Sequence, residues 1–204
     1  MQNFLSTENK PYQVMMKIYQ LVIVNLIFLI SCLPIFTIGT ALTTLFAVTL
    51  KMIEDKEENL LQTYVAHFKK EFKQSTSLWL IFSGSLLVFA YIYPFFSQFF
   101  QINIILFYLF ILIVAISVLT SLYVFPLLAK FDNSNLGIIK SAFLLAMKHM
   151  AFSILLFFLF IFFIILIPVF FPKLLFLYLA FGFSLHAYIS SFIFHSIFNK
   201  YAEI

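Results

Sequence analysis

Two apolar runs meet at Leu33-Pro34-Ile35-Phe36-Thr37-Ile38-Gly39-Thr40-Ala41, a stretch that no helix passes smoothly. Val14 to Leu33 before it is long and apolar enough to cross a bilayer, which takes about 20 residues. Pro34 removes a backbone donor and Gly39 tolerates dihedral angles that other residues avoid, so a tight reversal is expected between them. The run after it, to Leu50, is shorter and is followed by Lys51. Whether that run returns through the membrane sets the sidedness of everything downstream.

The chain has 64% hydrophobic and 10% charged residues and contains 31 Phe. Soluble domains are about a quarter charged. A chain with this little polar surface is solvated by lipid, so its length is counted in crossings. Six are expected, at about 14–38, 40–52, 77–96, 104–128, 151–171 and 174–198, giving an all-α polytopic membrane protein with a short second segment. At 1.5 Å per residue that second segment reaches only roughly 20 Å, so it needs local thinning or a snorkelling Lys51. Pro94 and Pro126 are read as ending or breaking their helices, and Ser97 to Asn103 as a polar link. Gln20 and Asn25, inside the first crossing, are expected to face other helices rather than lipid.

Between the crossings lie two amphipathic stretches. Asn59 and Gln62 resemble a capping-box start. After them Leu60, Leu61, Tyr64, Val65, Phe68 and Phe72 share one helical face, and Thr63, His67, Lys70 and Gln74 the other. The reading is a helix over about 60–73 lying on the membrane surface. A second, over about 136–150, follows the turn-and-cap cluster Asp132-Asn133-Ser134-Asn135.

All twelve basic residues are Lys. With six crossings and both termini in the cytoplasm, eleven of them lie inside or at that interface, and only Lys173 lies outside. This placement explains the formal charge of +4 without a nucleic-acid partner. The absence of Arg, with abundant Phe, Ile and Asn, is a hint of an AT-rich bacterial genome, and the chain is placed in the bacterial cytoplasmic membrane.

Candidate chemistry is sparse. The single cysteine, Cys32, excludes an intramolecular disulfide. It sits in a lipoprotein-like Leu29-Ile30-Ser31-Cys32, but apolar sequence follows it where a polar tether belongs. No Asp, Glu or Lys lies deep in a crossing, no nucleotide-binding P-loop and no G-x-S-x-G is present, and the carboxylates Glu54-Asp55 and Glu57-Glu58 alternate with lysines as a solvated loop does. His186 and His195 are nine residues apart and point to opposite faces, so neither a metal nor another cofactor is expected. Ala180, Ser184, Ala187 and Ser191 recur at helical spacing, which suits close helix packing. No enzyme is indicated.

Asn25-Leu26, the run Leu33 to Gly39 and Thr44-Leu45-Phe46-Ala47-Val48 resemble the N-terminal signature of the YesL-like bacterial membrane proteins. His67 to Gln74 and Tyr123-Val124-Phe125-Pro126-Leu127-Leu128-Ala129-Lys130-Phe131-Asp132-Asn133 are similar to two later segments of that family. Thr40 and Lys51-Met52 stand where family signatures often have Pro and an Arg before a Trp. The resemblance implies no established activity. It implies an association with carbohydrate uptake and polysaccharide utilisation, hence a non-enzymatic accessory or regulatory component that contacts sugar importer subunits. The candidate structural and interaction residues are Asn25, Pro34, Gly39, Phe68, Lys69, Lys70, Phe72, Lys73, Pro126, Asp132 and Asn133. The alternative is a small solute-binding permease, or an S-component-like unit served by a separate ATPase.

Overall fold

The computed structural model describes residues 10–54, 59–102 and 104–201. The acidic loop residues Asp55, Glu57 and Glu58, Asn103 of the expected polar link, and most of the N-terminal lead lie outside the described residues. The described residues form α1 (Lys10–Ser31), α2 (Ile38–Ile53), α3 (Leu60–Ile102), α4 (Ile104–Lys130), α5 (Asn135–Lys148), α6 (Met150–Ile161), α7 (Ile167–Phe170) and α8 (Leu175–Asn199). A π-helical turn, Phe162–Leu166, joins α6 to α7. Among the described residues, six stretches are long and apolar enough to cross a membrane. The chain is an all-α polytopic membrane protein.

The reversal forms where expected. α1 ends at Ser31, and a short 3₁₀ turn, Ile35–Thr37, leads into α2. The Thr37 hydroxyl lies 2.6 Å from the carbonyl oxygens of both Ser31 and Pro34. The Pro34 oxygen already accepts the Thr37 N–H at 3.0 Å, so the one hydroxyl hydrogen is placed to satisfy the Ser31 acceptor that the break frees in an apolar setting. The first helix is accordingly shorter than the expected 14–38, and the second apolar stretch, Ile35–Ile53, is 19 residues long.

That second stretch is the centre of the fold: 72% of it is buried, against 6–33% for the other five. Small and hydroxylated residues make this possible. Thr43, Thr44 and Thr49 bond back to carbonyls of α2 itself. Outward, the Ser75 hydroxyl donates to Thr43 at 3.0 Å, and Thr49 pairs with Ser191 of α8 at 2.8 Å. A Cβ on Gly39 would stand 2.5 Å from Trp79 Cβ and 2.7 Å from the Ser75 carbonyl oxygen, so the bare glycine sets how closely α2 meets α3.

The sequence reading separates a surface helix at 60–73 from a crossing at 77–96, and the structure joins them in one helix of 43 residues. At 1.5 Å per residue it is about 65 Å long, roughly twice a bilayer's hydrocarbon core. Gln74, Ser75, Thr76 and Ser77 are no helix breakers, and Ser75 is instead buried against α2. Nor do the prolines end their helices. Pro94 lies inside α3 and Pro126 inside α4, which runs on to Lys130. A proline removes one donor, whereas ending a helix in an apolar environment exposes several unpaired groups. The expected link from Ser97 therefore gives way to helix as far as Ile102. The turn at 132–135 holds as read, with Ser134 capping α5 by accepting the Gly137 N–H at 3.2 Å.

Candidate interaction site

Lys130 to Asn135, between α4 and α5, gathers the ends of four helices. Lys130 pairs with Glu54, just beyond α2, and both side chains are largely covered. Phe131 packs edge-on against Phe198 near the end of α8, with ring centroids 5.5 Å apart. Asp132 accepts from the Lys70 ammonium at 2.6 Å, while Lys70 also lies 3.3 Å from the buried Glu71 carboxylate. The Asn133 carbonyl accepts from Gln74 at 2.6 Å, and Asn135 donates to Ser77 at 3.4 Å. Lys70, Asp132 and Asn133, predicted from separate stretches, thus meet at one place.

The first third of α3 presents two faces, divided differently from the sequence reading. Tyr64 and Phe68, assigned to a lipid-facing apolar side, turn inward and stack at 6.3 Å. Thr63 and Glu71 are buried with them. Leu61, Val65, Lys69, Phe72 and Lys73 form the exposed stripe, and Leu61, Gln62, Val65, Ala66 and Lys69 line a shallow groove of about 440 Å³. Sequence reasoning sorted these residues by polarity, but α2 offers Thr40 and Thr43 as partners, so the side that packs on it is itself partly polar.

Of the other predicted residues, Asn25 is fully buried and joins α1 to α8: its amide donates to the Leu179 carbonyl and its carbonyl accepts the Ser184 N–H, each at 2.8 Å. Ser184 returns a hydroxyl bond to the Leu21 carbonyl at 2.8 Å. The expectation that Asn25 faces another helix holds, and Ser184 and Ser191 do pack closely as their spacing implied. Pro34 is exposed and Pro126 buried.

A contact the sequence did not signal lies at the α5–α6 junction. His149 Nε2 meets the Tyr201 hydroxyl at 2.9 Å, and the Lys148 ammonium sits 4.9 Å from the centre of the same ring. Burial, and then the charges of Lys200 and Lys148, push the His149 imidazole below its ordinary value. Residues 149 and 201 are 52 apart in sequence, and no spacing rule connects them.

An open cleft of about 400 Å³ between α4 and α6, with Ile111 and Ile154 exposed, is lined by Phe110, Ile111, Val114, Ala115, Val118, Leu119, Ile154 and Phe157. Its lining carries no polar side chain, so it offers a sugar nothing to bond. Among the described residues, no group of three or more His, Cys, Asp or Glu converges as a metal site would require.

A known family overlaps the part of the chain that holds α2. Residues 21–93 match the family described as "Protein of unknown function, DUF624". The match takes in Asn25, the Pro34–Gly39 reversal, all of α2 and most of α3. No curated protein and no solved structure matches the chain.

Proposed function

We propose that this protein is a non-enzymatic accessory component of the bacterial cytoplasmic membrane, with both termini in the cytoplasm, that engages a subunit of a carbohydrate importer. The observation that carries the reading is the exposed stripe Leu61, Val65, Lys69, Phe72 and Lys73 on the charge-bearing end of α3. A helix about twice the bilayer core in length has to extend beyond it, and its lysine-bearing end is the part that leaves hydrocarbon. Leu61 and Val65, 53% and 47% exposed, offer an apolar seam there. Lys69 and Lys73 flank that seam. The matching partner is a helix with its own apolar seam flanked by carboxylates. The link to carbohydrate uptake rests on the resemblance to YesL-like proteins. An accessory role is favoured over a permease because the hydroxyls of α2 are engaged within the bundle and the cleft between α4 and α6 is wholly apolar.

The test is co-purification from native membranes in a gentle detergent, with quantitation of bound proteins. An importer subunit in stoichiometric amount is expected with the native chain, and its loss with Leu61→Asp plus Val65→Asp in a protein that still inserts. Unchanged recovery with that double variant, or no importer subunit with the native chain, overturns the reading.

A further inference from the structure

Among the described residues, buried serine and threonine hydroxyls follow one habit: each finds a partner, in most cases a carbonyl one turn back and, for Thr40 and Ser75, a group on the neighbouring helix. Ser31, Ser83, Ser85, Thr120, Ser121 and Ser153 all bond back to a carbonyl three or four residues earlier, at 2.7–3.1 Å. Ser190 breaks the habit. It is 1% exposed, and its Oγ is buried with no hydrogen-bond partner. One turn earlier on the same face of α8, His186 Nε2 is likewise buried and unpartnered. The imidazole sits near the midpoint of the Leu175–Asn199 helix, where a polar group is hardest to place in a membrane.

The opposite wall is equally unusual. His186 packs against Phe160 at 6.2 Å and Phe163 at 5.7 Å, and Phe163 belongs to the π-helical turn Phe162–Leu166. Passing from four-residue to five-residue hydrogen bonds leaves one carbonyl without its usual donor. Such turns are rare and are found mostly at functional sites. A half-satisfied polar pair facing a π turn inside an apolar bundle is what an ordered guest resolves.

We infer that His186 and Ser190 hold an ordered water molecule between α8 and the π turn, a polar waypoint halfway across the bundle. Water is the smallest ligand that both donates and accepts, so it serves the imidazole and the hydroxyl together whichever ring nitrogen carries the proton. Side chains four residues apart on a helix are close enough to share one molecule. Tyr178, whose hydroxyl is also buried and unpartnered, is eight residues from His186, or about 12 Å along the axis. It lies too far away to share that water.

The deciding experiment is thermal unfolding of the full chain in nanodiscs for His186→Phe, Ser190→Ala and their combination, with Tyr178→Phe beside them. A shared water predicts that each of the first two lowers the melting temperature by about 2–4 °C, and that the combination lowers it by clearly less than the sum. Tyr178→Phe is expected to be additive with His186→Phe. A dry pair predicts the opposite sign, since replacing unsatisfied buried groups by apolar ones is neutral or stabilising. Unchanged or raised melting temperatures overturn the inference, as do losses at His186 and Ser190 that simply add. Ser190→Ala removes a single oxygen, so the question stays answerable if His186→Phe fails to fold.

Discussion

Asn25 and Ser184 are joined across 159 residues by a 2.8 Å bond from the Ser184 N–H to the Asn25 carbonyl oxygen. The same carboxamide donates to the Leu179 carbonyl, so one side chain uses both of its functions on the backbone of α8. In an apolar interior no solvent replaces either bond. Asn25→Leu keeps the bulk and deletes both. It is expected to destabilise the protein by roughly 1–2 kcal/mol, read as a fall of about 2–8 °C in melting temperature. A melting temperature equal to the native protein's counts against a clamp.

Gly39 makes a sharper case, because backbone stands in the way. A methyl group there would meet Trp79 Cβ and the Ser75 carbonyl of α3, neither of which swings aside as a flexible side-chain end does. Gly39→Ala is therefore expected to push α2 and α3 apart at a cost of about 1–3 kcal/mol. Trp79 is the chain's single tryptophan, so its emission reports on the surroundings of this one side chain. The expected result is a shifted Trp79 emission with a lower melting temperature, and unchanged emission refutes the close approach.

These two residues also show how much the sequence disclosed. A proline and a glycine between apolar runs announce a reversal in any solvent, and a lone amide among apolar residues has to seek a partner helix. Charge scarcity was enough for the membrane class. What the sequence hid depends on neighbours. Nothing in the residue types shows that Thr40 and Thr43 of the second segment meet Thr76 and Ser75, until α2 and α3 bring those hydroxyls together. Without that pairing the stretch 60–73 reads as a separate surface helix with its faces reversed. Pro94 and Pro126 were read by rules suited to water, where a broken helix is rescued by solvent. Lys70 and Asp132 were each singled out, but only the fold brings them within 2.6 Å.

His149 supplies a pH dependence. Its imidazole is held below its ordinary value of 6.5 by burial and by Lys200 and Lys148, so the folded chain protonates it later than the unfolded chain does. Where the unfolded state binds more protons, stability rises with pH. Its contribution is thus constant above the ordinary value and is lost as pH falls from there toward the depressed one. The ring is only partly buried, so the effect is small. It is read as a difference: between about pH 8 and about pH 5.5 the native chain is expected to lose more melting temperature than His149→Gln. Parallel pH profiles for the two proteins contradict the assignment.

The two ion pairs around the 130–135 segment are expected to behave differently because their surroundings differ. The side chains of Lys70 and Asp132 are 56% and 79% exposed, whereas those of Lys130 and Glu54 are 28% and 16% exposed. An exposed pair is screened by salt and contributes about 0–1 kcal/mol. Lys70→Met should therefore change stability little, and its effect should vanish in high salt. Lys130→Met takes the Lys130 ammonium away from the mostly covered Glu54, which keeps His195 Nδ1 3.9 Å away. A loss of roughly 2–3 kcal/mol that persists in high salt is expected, less than the full penalty of a buried pair because some water still reaches it. Measuring both variants in low and high salt separates the cases. Equal losses from the two substitutions would mean that the end of α2 is not pinned through Lys130.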